Sequence, residues 1–255
     1  MTGPSPSRIP VIFLPGIIAP AALRFARLFE ALGDDVDAVP KDLEVHGGPF
    51  VPPPGYSLGT EIDGIARAAD EHGFGRFHLY GHSGGGACAL AFTAVHPERV
   101  LTLALDEPAT DFSPQDMQEV HQVFLPMLQL PPDQMMPAFI RAQMREGVEP
   151  PPMQEGPPPW MADRPAGVAA FVQALSKADV PVERLKAFDR PVYYSYNSLS
   201  NETWERKADR LRELFPNINV ELYEGLSHLN TSHAAEPERV AAALRHLWGL
   251  EATAR

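Results

Sequence analysis

Ser83 carries the strongest chemical signal in this chain. It lies in Leu79-Tyr80-Gly81-His82-Ser83-Gly84-Gly85-Gly86, where a short apolar run, Phe77 to Tyr80, enters a Gly-x-Ser-x-Gly turn and leads into an alanine-rich helical pattern. Such a strand-turn-helix junction holds a serine at strained backbone angles with its hydroxyl exposed, which requires small neighbours. Gly81 and Gly85 let strand and helix cross closely, and Gly84, Gly86 and Ala87 meet the same demand. A serine hydroxyl is a weak nucleophile at neutral pH. It needs a general base within hydrogen-bond reach and a carboxylate to hold that base in the right tautomer. A reaction passing through a tetrahedral intermediate also needs two amide donors for the developing oxyanion, one of which is expected to be the N–H of Gly84, directly after the nucleophile.

The elements that would position these groups alternate between strand-like and helical patterns, which predicts parallel βαβ units and a sheet covered on both faces. Val11 to Leu14 is a buried strand ending at Pro15-Gly16, and Ala21 to Leu32 has helical spacing. Asp35 to Val39 is a weaker strand candidate, and Thr60 to His72 reads as a helix ended by Gly73. After the serine turn, Gly84 to His96 is helical, and Val100 to Leu105 is a continuous apolar strand stopping at Asp106-Glu107-Pro108. From about Ala109 to Phe188 the strand signal disappears, with helical pieces at Met135 to Arg145 and Gly167 to Lys177 flanking two proline triplets. That stretch reads as an insertion. Strands return at Pro191 to Tyr196 and Val220 to Tyr223, separated by a helix over Glu202 to Phe215, and a helix over Pro237 to Trp248 closes the chain.

This order of elements, the Gly-His-Ser-Gly-Gly turn and a histidine after the last strand resemble the α/β-hydrolase superfamily over most of the chain. The resemblance implies an α/β fold with a mostly parallel sheet of about six strands flanked by helices. Residues 1–108 and 189–255 would form the core, and residues 109–188 a helical cap inserted between the family's strands six and seven. Only ten residues precede Val11, so the family's first two strands are expected to be absent.

The resemblance makes Ser83 the nucleophile and His228, in the loop after Val220 to Tyr223, the base. His233 is expected to be a lining or structural residue, and His82 a packing neighbour of the serine. Relatives usually place an aspartate after strand seven, but the segment from Pro191 to Asn201 contains no carboxylate. Three acids therefore stay open: Glu107, at the alternative position after strand six, ranks first, Glu202 second and Asp106 third. Asp106 and Glu107 should point to opposite sides because side chains alternate along extended backbone. The second oxyanion donor implied by the resemblance is the N–H of Ile17, in Leu14-Pro15-Gly16-Ile17. His46-Gly47-Gly48 is read as a turn.

The insertion carries Met127, Met135, Met136, Phe139, Met144, Met153, Trp160, Met161 and Phe171, which would form an apolar roof over the serine as well as the cap's own core. Trp160 is the expected substrate contact there. Tyr194, with Tyr196 and Asn197, is expected to add polar contacts from the end of its strand. An apolar pocket over a serine suits uncharged, moderately hydrophobic esters or thioesters. The leading expectation is a carboxylic ester hydrolase working through an acyl-enzyme. C–C hydrolysis, acyl transfer or lyase chemistry on the same residues is the alternative, and a receptor with negligible turnover is another. Haloalkane dehalogenation is disfavoured, because it needs an aspartate at position 83.

With 21 Lys and Arg against 33 Asp and Glu, the net charge of −12 disfavours nucleic acid and anionic membrane surfaces. The expected partner is a small-molecule substrate, with a homodimer left open. No histidine and carboxylate cluster has ligand spacing and the glycines serve the serine turn, so neither a metal nor a cofactor is expected. Cys88 is the only cysteine and reads as structural. The apolar stretch Ile9 to Leu23 is interrupted by prolines at 10, 15 and 20, which argues against a signal peptide and for a cytoplasmic setting.

Overall fold

In the computed structural model, residues 8–151, 156 and 158–250 are described. Six parallel strands form one sheet: β1 (Ile9–Leu14), β2 (Val36–Pro40), β3 (Phe77–His82), β4 (Val100–Asp106), β5 (Val192–Asn197) and β6 (Ile218–Tyr223), in the order β2-β1-β3-β4-β5-β6. The sheet is wholly parallel among the described residues, and its strands are apolar because both faces are covered.

Alternation along β1 shows how the faces are divided. Ile12 and Leu14 belong to a core with the helices Leu58–Glu71 and Gly84–Val95, while Val11 and Phe13 point to the opposite core. There they meet Phe25, just before the helix Ala26–Leu32, Leu28 and Leu32 on that helix, and Val240 and Leu244 on the helix Pro237–Leu247. The helix Gly84–Val95 has every residue through Ala94 buried, so its apolar character all round is a consequence of passing between the sheet and further helices. Cys88 is fully buried within it.

Register brings the C-terminal strand ends to one edge: Leu14 is level with Gly81, His82 with Asp106, and Asp106 with Ser195. From β1 the chain steps outward to β2 and then back past β1 to β3, so the order reverses between β1 and β3. A crevice opens at such a reversal, outside the carboxyl ends of the strands. The loop carrying Ile17 and the turn carrying Ser83 flank it.

Between β4 and β5 lie Pro114–Glu119, a π-helical stretch Val120–Phe124, Pro132–Ala142, Arg164–Ser176 and short turns, with no sheet strand among the described residues. Met153 and part of both proline triplets lie outside the described residues. Helix ends differ from the sequence reading by a few residues, and the predicted helix over Ala21 to Leu32 is broken at Phe25, whose φ and ψ of −102° and 7° interrupt it. No described helix is long and apolar enough to cross a membrane.

Candidate active site

Ser83 follows β3 with φ 51° and ψ −118°, a conformation that is costly for a residue with a side chain and is held by its surroundings. Its N–H donates to the carbonyl of Asp106 at 3.0 Å, and its carbonyl accepts from Ala109 at 2.8 Å and Ala87 at 3.1 Å. The flanking glycines are required by contact. A Cβ on Gly81 would lie 2.5 Å from the Gly85 carbonyl oxygen, and one on Gly85 would lie 2.5 Å from the carbonyl oxygens of both Leu14 and Pro15.

A continuous hydrogen-bonded line runs from this serine. His228 Nε2 lies 2.9 Å from Ser83 Oγ, and His228 Nδ1 lies 2.8 Å from Glu107 Oε2. Glu107 Oε1 accepts from the N–H of Asn197 at 2.8 Å, so both oxygens of this fully buried carboxylate are engaged. Glu107 itself takes φ 45° just past β4, which turns its side chain toward the histidine loop.

Asp106 serves a different partner. Its Oδ2 accepts from His233 Nδ1 at 2.7 Å and from the Tyr80 hydroxyl at 3.2 Å, while Oδ1 accepts from Ser195 Oγ at 3.0 Å. Burial by itself would raise the Asp106 pKa, but the His233 hydrogen bond and charge outweigh it and hold the carboxyl below its usual range. Glu202 does not reach the site. It is exposed, and it pairs with Arg145 at 3.6 Å and Arg206 at 3.8 Å.

His82 sits between the two histidines, with ring centroids 5.0 Å from His228 and 4.9 Å from His233. Neither of its ring nitrogens has a hydrogen-bond partner among the described residues. Burial, followed by the charges of Arg24, His233 and His228, holds its pKa well below the ordinary value, so it is a neutral spacer.

The N–H of Gly84 and the N–H of Ile17 have no acceptor among the described residues. They approach closely, since a Cβ on Gly84 would lie 3.5 Å from the Ile17 nitrogen. The Ile17 loop is propped from behind by His46, whose Nε2 donates to the Ile17 carbonyl at 2.9 Å. His46 packs so closely on the helix Arg164–Ser176 that a Cβ on Gly167 would fall 2.1 Å from its ring. The sequence reading of His46 as part of a simple turn is thus incomplete: the turn Glu44–His46 exists, but the side chain supports the loop after β1.

Two cavities meet at Ser83. One, of about 40 Å³, is lined by Val120, Phe124, Phe139, Val168, Phe171 and Leu175, together with Trp204 and Lys207. The other, of about 150 Å³, has His228 on its wall together with Arg24, His82, Gln143, Ile140 and Leu229.

Two expected substrate contacts need correction. Tyr194 is fully buried, donates its hydroxyl to the Trp204 carbonyl at 2.6 Å and lines neither cavity. Trp160 lines neither cavity and packs instead against the Arg164 guanidinium, 5.1 Å from its ring centroid. Of the residues expected in the roof, Phe139 and Phe171 do line the cavities, whereas the described methionines are off both walls, which are completed by branched aliphatic residues. The residue the sequence reading missed is Trp204. Its ring stacks on His228 at 4.3 Å and 11°, and its Nε1 donates to the Pro108 carbonyl at 3.0 Å. A tryptophan on an amphipathic helix reads as core, and nothing in its local sequence points to the histidine loop.

A profile described as "Alpha/beta hydrolase family" matches residues 11–243. The chain belongs to this family. A lipase of Mycobacterium tuberculosis is 30% identical over 133 residues. That alignment spans 49% of this chain and 49% of the relative, so the chain matches about half of the lipase's length. Among solved structures, a thermophilic esterase from Thermogutta terrifontis superposes with a TM-score of 0.71 at 20% identity, over 94% of this chain and 89% of the esterase. A hydrolase from Pseudomonas aeruginosa gives 0.69 at 17% identity, over 94% and 90% of the two chains. These structural likenesses concern the fold.

Proposed function

We propose that the protein hydrolyses carboxylic esters with a short acyl chain, through an acyl-enzyme on Ser83. The observation that carries this reading is the unbroken line Ser83–His228–Glu107 beside two unpaired amides. His228 Nε2 takes the Ser83 proton as Oγ attacks the ester carbonyl carbon. The carbonyl π electrons move onto oxygen, where the N–H groups of Ile17 and Gly84 receive the negative charge. Glu107 holds the Nδ1–H tautomer and stabilises the imidazolium. Collapse of the intermediate breaks the bond to the alkoxy oxygen, which takes the proton from His228 and leaves. Water then repeats the sequence on the acyl-enzyme, with His228 again as base, and releases the carboxylic acid and free Ser83.

The two cavities divide the substrate between them. His228 must reach the departing oxygen, so the alcohol portion belongs in the cavity with His228 on its wall. The acyl portion then occupies the apolar cavity of about 40 Å³. At roughly 10–15 Å³ per enclosed water that is room for about three waters, or an acyl chain of about two to four carbons. Trp204, stacked on His228, fixes the imidazole plane and excludes water from one of its faces.

The test is intact-mass analysis after a fluorophosphonate probe, beside Ser83→Ala and His228→Ala, combined with turnover of p-nitrophenyl esters from acetate to octanoate. One adduct that requires both residues, with turnover highest at the short end, is the expected result. Turnover that survives Ser83→Ala would overturn the mechanism.

A further inference from the structure

We propose that Arg24 binds an anionic oxygen group, a carboxylate or a phosphate, carried by the alcohol portion of the substrate. The protein would then prefer esters whose leaving group is negatively charged. This inference rests on the ester-hydrolase reading and adds the class of leaving group to it.

The cavity assigned to the leaving group is built largely from apolar walls, Ile18, Phe139, Ile140 and Leu229, and among the described residues Arg24 is the one permanently charged side chain lining it. Arg24 has neither an ion pair nor a side-chain hydrogen bond among the described residues, although a guanidinium offers five N–H donors. Arg210 by contrast pairs with Asp111 at 2.6 Å and also with Asp116, and Arg99 pairs with Asp70 at 2.7 Å, while Arg164, which has no ion pair among the described residues either, lies over the Trp160 ring and away from this cavity. The acid nearest in effect to Arg24 is Asp106, which is already occupied by His233, Tyr80 and Ser195.

An uncompensated cation facing an apolar cavity beside a nucleophile is costly to keep unless something fills its donors. A carboxylate or phosphate matches the planar fork of a guanidinium, and in a partly desolvated pocket the pairing is stronger than in water. The overall charge of −12 makes the position informative, because most of the surface repels the anion that this one pocket would accept.

Three acetyl esters with a common aromatic frame test the idea: 4-acetoxybenzoate, its neutral methyl ester, and 4-acetoxyphenyl phosphate. Comparing wild type with Arg24→Gln cancels the intrinsic reactivity of each leaving group. The expected result is that the anionic-to-neutral ratio of kcat/KM falls by about tenfold or more in Arg24→Gln for at least one anion, with partial retention in Arg24→Lys. The anion with the larger loss identifies carboxylate or phosphate as the preferred group. A ratio unchanged within about twofold overturns the proposal, including the case where all three esters slow together, which would make Arg24 a counterion of Asp106 and no more. Calorimetric binding of 4-hydroxybenzoate to Ser83→Ala, with and without Arg24→Gln, separates this proposal from the hydrolase reading. Arg24-dependent binding without turnover of any ester would sink the hydrolase reading and keep the anion site, and binding indifferent to Arg24 would remove the site whatever the turnover.

Discussion

Replacing Glu107 by Gln is the perturbation whose consequences follow most directly from the geometry. The carboxylate is fully buried and accepts from two donors, His228 Nδ1 at 2.8 Å and the N–H of Asn197 at 2.8 Å. A glutamine has one oxygen and one NH₂ for these two donors. If its oxygen keeps Asn197, its NH₂ faces His228, which must then carry its proton on Nε2 and can no longer accept the proton of Ser83. If its oxygen keeps His228, the NH₂ confronts the Asn197 N–H and a buried donor loses its partner, at a cost of about 1–3 kcal/mol in stability. The first arrangement abolishes the base, so kcat should fall by about 10³–10⁴, equivalent to about 4–5.5 kcal/mol in the barrier. The assay is kcat on p-nitrophenyl acetate together with urea unfolding, run beside Glu202→Gln. The exposed Glu202 should tolerate the change within about twofold, because its surface ion pairs contribute little. Glu107→Gln retaining more than about a tenth of wild-type kcat at unchanged stability would refute the reasoning, since loss of the orienting carboxylate costs far more than that in an intact triad.

Further outcomes follow from other parts of the molecule. Phe124→Ala, which removes a half-buried ring from the wall of the 40 Å³ cavity, should move the acyl-chain optimum upward in the p-nitrophenyl series; an unmoved optimum would mean that the acyl group lies elsewhere. Gly85→Ala should lower stability by about 1–3 kcal/mol or prevent folding, because overpacking of this kind is not relieved when the opposing atoms are backbone carbonyls. Thermal melting would show it. The pH dependence of stability should carry a mark of His46 and His78, both lowered from 6.5 to about 4 chiefly by burial. Between those values the unfolded chain binds more protons, so stability is fully present above 6.5 and is lost as pH falls toward 4. His46→Gln should flatten that slope without abolishing it, as urea unfolding at about pH 7 and pH 4.5 would reveal; a slope identical to wild type would mean that His46 is not held neutral.

The sequence by itself determined the parts of this protein that depend on local constraint. Alternating strand and helix patterns fix a parallel sheet because each apolar strand must be covered on both faces. The run Gly81 to Gly86 fixes the serine turn because only glycines fit where backbone atoms would otherwise meet a Cβ at 2.5 Å. Glu107 and Asp106 could be ranked but not separated by sequence, since both stand at the end of β4; their partners, His228 and His233, lie 121 and 127 residues away and meet them only after folding.

Long-range packing decided the rest. Trp204 meets His228 because Tyr194 and Pro108 anchor it, which no pattern on its own helix reports. Tyr194 looked like a site residue for its strand-end position, yet its hydroxyl had to find a buried acceptor and so faces the Trp204 carbonyl. The methionine-rich insertion suggested a flexible roof, whereas the walls use residues whose facing direction is set by how the helices between β4 and β5 settle on the sheet. Arg24 gave no local signal, and its meaning comes from the cavity it lines and the acids it fails to meet. Backbone geometry is written in neighbouring residues, but side-chain partnership is written in the fold.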